Sequence, residues 1–331
     1  MRAYIVKRFL VMLLIIVVVS MAAFIIIHLP PGDFLTSYIN RLRSMGTEVT
    51  DSQIASLRQM YDLDKPMVLQ YLSWVSKLLR GNLGFSFEWN ASVNSLLADR
   101  LPYTILISMF TLVFTYLVAI PIGIYSATHQ YRFGDYLFTF LGFIGLAVPG
   151  FLLALVLMFV FFKYFGMSTT GLFSNAYAHA PWSLAKAWDL AKHLPLPIVV
   201  VGLAGTAGII RVMRGCLLDE IRKQYVTTAR AKGVKERKLL FEYPVRIAIN
   251  PIISTIGWTL PGIVSGETIV AIVFSLPTVG PLLYRALLSQ DMFLAGSILL
   301  ILTTLTVIGT FLSDILLAVT DPRIRLEKKQ S

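Results

Sequence analysis

The residues able to do chemistry are few and scattered. Cys216 is the only cysteine, and His28, His129, His179 and His193 have neither HxxxH nor HExxH spacing. An intrachain disulfide framework and a cysteine-based zinc site are therefore excluded, and a histidine metal site is not expected. The chain contains no GxxxxGK[ST] phosphate loop and no GxSxG elbow, so any ATP the protein uses must be bound by another chain. His28, Glu267 and Asp314 are the ionisable residues in or beside the long apolar runs. They fall at run ends or at different depths, with no GxGD-like acid pair. An intramembrane enzyme is not expected.

Composition says what must position these residues. Of the 331 residues, 56% are apolar and 14% are charged, against about 25% charged in an ordinary soluble domain. The 29 basic and 18 acidic residues leave a formal charge of +11. The apolar residues come in unbroken runs, which predicts a polytopic membrane protein and excludes disorder.

A membrane helix needs about 20 apolar residues, at 1.5 Å rise each, to cross roughly 30 Å of hydrocarbon. Six runs qualify or nearly do: Phe9–Leu29, Tyr103–Ala127, Tyr136–Phe162, Leu194–Ile210, Ile247–Phe274 and Met292–Ser313. Tyr136–Phe162 carries Pro149-Gly150 near its middle. The first run follows Arg2, Lys7 and Arg8, as a signal peptide would, but its 21 residues exceed the about 7–15 of a signal core. It is read as a retained helix. Gly202, Gly205 and Gly208, and Gly262 with Gly266, predict close helix packing. Pro149, Pro251 and Pro261 are candidate kinks.

Basic residues orient the chain. With the N-terminus inside, residues 1–8, 128–135, 211–246 and 314–331 are cytoplasmic and hold 18 of the 29 basic residues. The expected fold is all-α and polytopic, with six transmembrane helices and both termini cytoplasmic. The organisation reads as 1–29, tail and first helix; 30–102, a small outer subdomain with amphipathic stretches Ser52–Tyr61 and Val68–Leu79; and 103–331, a five-helix core. Within 163–193, Tyr177, Trp182 and Trp188 with Lys186 and Lys192 suit a helix at the membrane interface.

The most informative stretch is Arg211–Arg246, with ten basic and four acidic residues. A bare connection needs only a handful of residues. This one shows a helical pattern over Tyr225–Ala231, a Gly233 turn where φ > 0 is expected, and a second helix from near Lys235 that ends at Pro244. Leu239, Leu240 and Phe241 form an apolar patch among the basic residues. Such a helix suits a partner's groove; a basic loop resting on anionic head groups fits the pattern equally well.

The run Tyr225-Val226-Thr227-Thr228-Ala229-Arg230-Ala231-Lys232-Gly233 resembles the "EAA" loop of ATP-binding-cassette import permeases, in the oligopeptide/dipeptide version that replaces the first two letters and keeps ARAKG. The resemblance covers nearly the whole chain. Leu29-Pro30-Pro31-Gly32-Asp33, Leu63-Asp64-Lys65-Pro66, Gln70-Tyr71, Gly81-Asn82-Leu83-Gly84-Phe85-Ser86 and Arg100-Leu101-Pro102-Tyr103-Thr104 are similar to that family's motifs in order. Asp314 and Asp321-Pro322-Arg323 resemble its closing signature. One departure stands out. Family members often carry a Glu shortly before the Phe of an FxxPGxG segment; here Ala271 stands near that place, the segment reads Phe274-Ser275-Leu276-Pro277-Thr278-Val279-Gly280, and the acid is Glu267.

The resemblance implies half a pore, in a bacterial or archaeal cytoplasmic membrane, for oligopeptides or dipeptides, with oligosaccharides or another small solute as the alternative. It implies a second homologous permease, two ATP-binding subunits that carry ATP and Mg, and an extracytoplasmic solute-binding protein. Nucleic acid is not among the expected partners, and no cofactor is expected in this chain. The implied ATPase-docking residues are Tyr225, Thr228, Ala229, Arg230, Ala231, Lys232, Gly233, Lys235 and Leu239. The candidates for the translocation path are Trp258, Ser265 and Glu267. A secondary transporter or channel is the competing class; it also needs polar groups at mid-membrane, but usually more spans and no long basic docking loop.

Overall fold

A computed structural model describes residues 2–28, 39, 43–44, 50–60, 64–86 and 88–320. The motif at 29–33 and the tail at 321–325 lie outside the described residues. So do the side chains of Trp258, Ser265 and Glu267.

Among the described residues the protein is all-α apart from one hairpin of two-residue strands. In chain order the elements are α1 (Arg2–His28), α2 (Asp51–Met60), α3 (Met67–Leu79), β1 (Phe85–Ser86), β2 (Ala91–Ser92), α4 (Val93–Thr128), α5 (Phe133–Ala147) and α6 (Gly150–Phe165). They continue with α7 (Leu184–His193), α8 (Pro195–Ile221), α9 (Gln224–Ala231), α10 (Glu236–Glu242), α11 (Pro244–Ala248), α12 (Asn250–Val273), α13 (Val279–Leu288) and α14 (Met292–Thr320).

Among the described residues, four helical segments are long and apolar enough to cross a membrane: Ile5–Ile25, Val93–Thr128, Leu184–Ile221 and Phe293–Ile315. The expected third span is not a single helix. Residues 136–162 are divided between α5 and α6, which are bent 106° from one another. Proline explains the break. Its ring disfavours the helical conformation in the residue before it, and Val148 is extended at ψ 123°. Pro149 in turn precedes α6 as its N-cap. Pro251 is no kink either: it stands at the start of α12, where its missing N–H leaves no bond unmade. α12 has 24 residues, about 36 Å at 1.5 Å each.

The bundle is built on the pairing of α4 with α8. Thr104, Ser108, Thr111, Thr115, Ala119, Gly123 and Ser126 of α4 are all buried, and their three- and four-residue spacing puts them on one face. These small side chains let α8 come close. A Cβ on Gly123 would sit 2.6 Å from Met213 Cβ, and one on Gly202 would sit 2.8 Å from Phe114 Cδ1, so neither position has room for a larger residue. Among the described residues, nothing lies within 4 Å of such an atom on Gly208 or Gly262.

These contacts also give helix directions. Thr115 meets Gly202 and Gly123 meets Met213, so α4 and α8 run parallel. Asp135 meets Arg214, while Gly142 lies by Ala207 and Gly145 by Leu203, so α5 runs antiparallel to α8. Gly257 packs on Thr310 and Ser313 Oγ donates to the Ile253 carbonyl, which makes α12 and α14 antiparallel. Arg8 near the start of α1 pairs with Asp314 near the end of α14 at 3.2 Å, and Phe9 meets Phe311 edge-on.

At the other end of α14 the hairpin is pinned by a buried acid. Asp291 accepts from Ser86 Oγ at 2.6 Å and from the Leu294 N–H at 3.2 Å. Ser297 Oγ donates to the Leu83 carbonyl. Past the end of α6 at Phe165, the expected interfacial segment is helical in α7. Ser183 caps it, Trp182 and Trp188 are exposed, and the Lys186 ammonium lies over the Phe173 and Trp182 rings.

Candidate functional site

The basic loop begins where α8 leaves the bundle and returns at α11. Glu220, in the last turn of α8, is buried. It accepts from Lys223 Nζ and, through its other oxygen, from Tyr225 Oη, both at 2.5 Å. The start of α9 is thereby tied to the end of α8. The Tyr225 phenol is held well above its ordinary pKa, first by burial and then by the Glu220 carboxylate that takes its proton in a hydrogen bond.

α9 ends in a Schellman motif. The Gly233 N–H bonds the Arg230 carbonyl at 3.0 Å and the Val234 N–H bonds the Ala229 carbonyl at 3.3 Å. Gly233 has φ +78°, a conformation in which a side chain is strained. The turn brings α10 back against α9, and Val226, Ala229 and Leu239 form a small core with Tyr225 and Val234. Arg230 then clasps Glu236 with two bonds, at 2.5 and 3.1 Å. That pairing raises the arginine pKa and lowers the glutamate pKa, and in each case the side-chain hydrogen bond is the largest cause.

The nine docking-loop residues therefore do different things. Ala229 and Leu239 are buried and Tyr225 is half-buried; these three hold the loop together. Thr228, Arg230, Ala231, Lys232, Gly233 and Lys235 are exposed and make up the surface a partner can touch. The apolar patch expected at 239–241 is split. Leu239 faces inward because it closes the loop's core, and Phe241 is left exposed. Between this loop and the end of α4 lies a groove of about 400 Å³, lined by Thr128, His129, Val226, Arg230 and Leu240. The arrangement is a basic surface joined to α8 and α11.

Trp258, Ser265 and Glu267 all fall in α12, one helix beyond the loop. On the same helix Thr255 and Thr259 meet Tyr116 Oη at 2.9 and 3.1 Å, a polar cluster that a sequence alone does not bring together. Arg285 lies over the Trp89 ring, its Cζ 5.7 Å from the centroid. Among the described residues no group of three or more His, Cys, Asp or Glu could hold a metal.

Sequence reasoning missed the buried acids Asp135, Glu220 and Asp291. Each is an ordinary carboxylate in the sequence, and its partners lie on other elements or across a turn. Glu220 had the best available signal, the second of two adjacent acids, Asp219-Glu220, five residues before Tyr225.

Residues 119–326 match the family described as "Binding-protein-dependent transport system inner membrane component", and residues 1–109 match its N-terminal counterpart. The chain is 32% identical to the oligopeptide transport system permease protein AppB of Bacillus subtilis, covering 98% of this chain and 99% of that protein. It is 30% identical to the oligopeptide transport system permease protein OppB of Haemophilus influenzae, over 98% and 100%. It is 27% identical to the dipeptide transport system permease protein DppB of Alkalihalophilus pseudofirmus, again over 98% and 100%. The chain is thus a multi-pass inner-membrane protein and belongs to the inner-membrane components of binding-protein-dependent transport systems, the permease subunits of ABC importers.

Proposed function

We propose that this chain forms half of the translocation pore of an importer for oligopeptides or dipeptides. The observation that carries this reading is the loop from Glu220 to Tyr243. It is an ordered basic platform, clamped to α8 at one end and to α11 at the other, as a lever pushed by a partner must be. Two ATPase subunits, with ATP and Mg, dock on this loop and its counterpart in a second homologous permease. An extracytoplasmic binding protein delivers the solute. Closure of the ATPase pair draws the two loops together and shifts the helices between two packings, inward- and outward-open.

Six crossings and cytoplasmic termini fit the helix directions. The start of α1 lies beside the end of α14, and the basic loop follows α8, which runs parallel to α4. The bent α5–α6 pair serves as the third crossing. The peptide substrate is taken from the relatives.

The test is co-purification with the cognate ATPase subunits, followed by mass spectrometry of the ligand on the cognate binding protein. A peptide ligand supports the reading in full. An oligosaccharide replaces the substrate and keeps the machine. Failure of wild-type chain to retain any ATPase subunit overturns the importer mechanism and favours a secondary carrier.

A further inference from the structure

Away from the loop, a groove of about 270 Å³ opens between α5 and α8. Arg211 and Arg214 line it from α8, one helical turn apart, with Tyr131 and Tyr136 beside them. Phe143, Leu146 and Ile210 continue it as an apolar trough along the two helices.

The charges in this groove do not balance. Arg214 directs Nε and Nη2 to the buried Asp135, at 3.0 and 2.9 Å, and the Tyr131 N–H also bonds that carboxylate. This pair is closed. Arg211 has no carboxylate within ion-pair range among the described residues. It is exposed, with Cζ 5.5 Å from the centroid of the Phe143 ring. One carboxylate thus stands among two guanidiniums.

The surface around the groove is bulky and apolar. Phe133, Tyr136, Phe140, Phe143 and Leu146 of α5 are all exposed. Tyrosine and arginine at the basic end of such a face mark the head-group level. A soluble anion would match Arg211 but would have no use for the trough. Helix–helix contacts in lipid are enriched in small residues, and this face offers large ones. The ligand that matches both ends is an anion with an apolar tail.

We propose that this groove holds one anionic phospholipid of the cytoplasmic leaflet, its phosphate on Arg211 and an acyl chain along Phe143 and Leu146. The inference rests on the orientation given above, which puts the 128–135 and 211–246 segments at the cytoplasmic face. A lipid so placed would wedge the bent helix pair against α8, above the loop that α8 carries.

The test uses the assembled transporter in bilayers of phosphatidylglycerol and phosphatidylethanolamine. Complexes of equal subunit composition are extracted and the retained lipid is counted by native mass spectrometry. Arg211→Gln is expected to lower retained phosphatidylglycerol about fivefold, the worth of one basic residue at an anionic surface, and to leave phosphatidylethanolamine unchanged. Arg211→Lys is expected to keep most of it. Equal phosphatidylglycerol in wild type and Arg211→Gln would overturn the proposal. So would a cross-link from Leu146→Cys to the second permease, which would make the groove a protein interface. Failure of the importer reading is seen separately, as wild-type complexes that lack ATPase subunits.

Discussion

Tyr225 Oη and Glu220 Oε2 lie 2.5 Å apart across the junction of α8 and α9. The bond joins the last turn of a membrane helix to the first turn of a surface helix, and in the importer proposed above a push on one would reach the other. Lys223 on the second carboxylate oxygen fixes the acid between them. A hydrogen bond to a charged group is worth about 1.5–3 kcal/mol. Glu220→Ala should therefore lower solute uptake about tenfold or more at unchanged membrane insertion, and Tyr225→Phe should have the smaller effect. Uptake in vesicles beside membrane-fraction blots measures both; full activity in Glu220→Ala would remove the junction from the mechanism.

Gly233 holds φ +78°, and among the described residues nothing lies within 4 Å of a hypothetical Cβ. A substitution there meets backbone strain and no steric clash. Gly233→Ala should cost about 1–2 kcal/mol of loop order and weaken ATPase attachment partially. Gly233→Asp adds a negative charge to the basic surface and should abolish attachment or transport while leaving the chain in the membrane. Normal transport by Gly233→Asp would exclude docking at this turn.

The clasp of Arg230 on Glu236 is pH-dependent in a definite direction. Its glutamate pKa is lowered in the folded loop by the arginine's hydrogen bond. The stabilisation is therefore fully present above the ordinary carboxylate value of about 4.3 and is lost as pH falls through the lowered one. The protection of the Gly233 and Val234 amides, taken relative to their intrinsic exchange at each pH, should be flat near neutrality and fall in acid. Glu236→Gln should show at pH 7 the reduced protection that wild type shows in acid; pH-independent protection would show that the small core of Val226, Ala229 and Leu239 holds the turn alone.

Topology is open to a direct assay. A reporter fused after Ser331 should be protected from external reagents, and one inserted near Glu48 should be accessible. The opposite pattern would put the basic loop where no ATPase can reach it.

Glu267 lies 17 residues after Asn250, where α12 begins, roughly 26 Å along that helix. If it lines the outer vestibule, Glu267→Gln should change the rate or selectivity of uptake while subunit assembly and basal ATP hydrolysis persist. Disassembly, or no change at all, would make it an anchor or a solvated helix end.

What the sequence determined by itself follows from composition and local period. Long apolar runs place the membrane helices. A glycine after a helical pattern places the α9–α10 turn at Gly233, because the conformation there depends on the backbone of adjacent residues. Proline marked the weak point at 149. It did not reveal a 106° bend rather than a mild kink, since that depends on what α5 and α6 pack against: α5 on α8, and α6 on α12 as well. Likewise no local pattern shows which of Leu239, Leu240 and Phe241 turns inward; the register of α10 against α9 decides it. The buried acids Asp135 and Asp291 were invisible for the same reason. Asp135 and Arg214 are 79 positions apart, Ser86 and Asp291 are 205 apart, and only the folding of the bundle brings a buried charge to the partner that makes its burial tolerable.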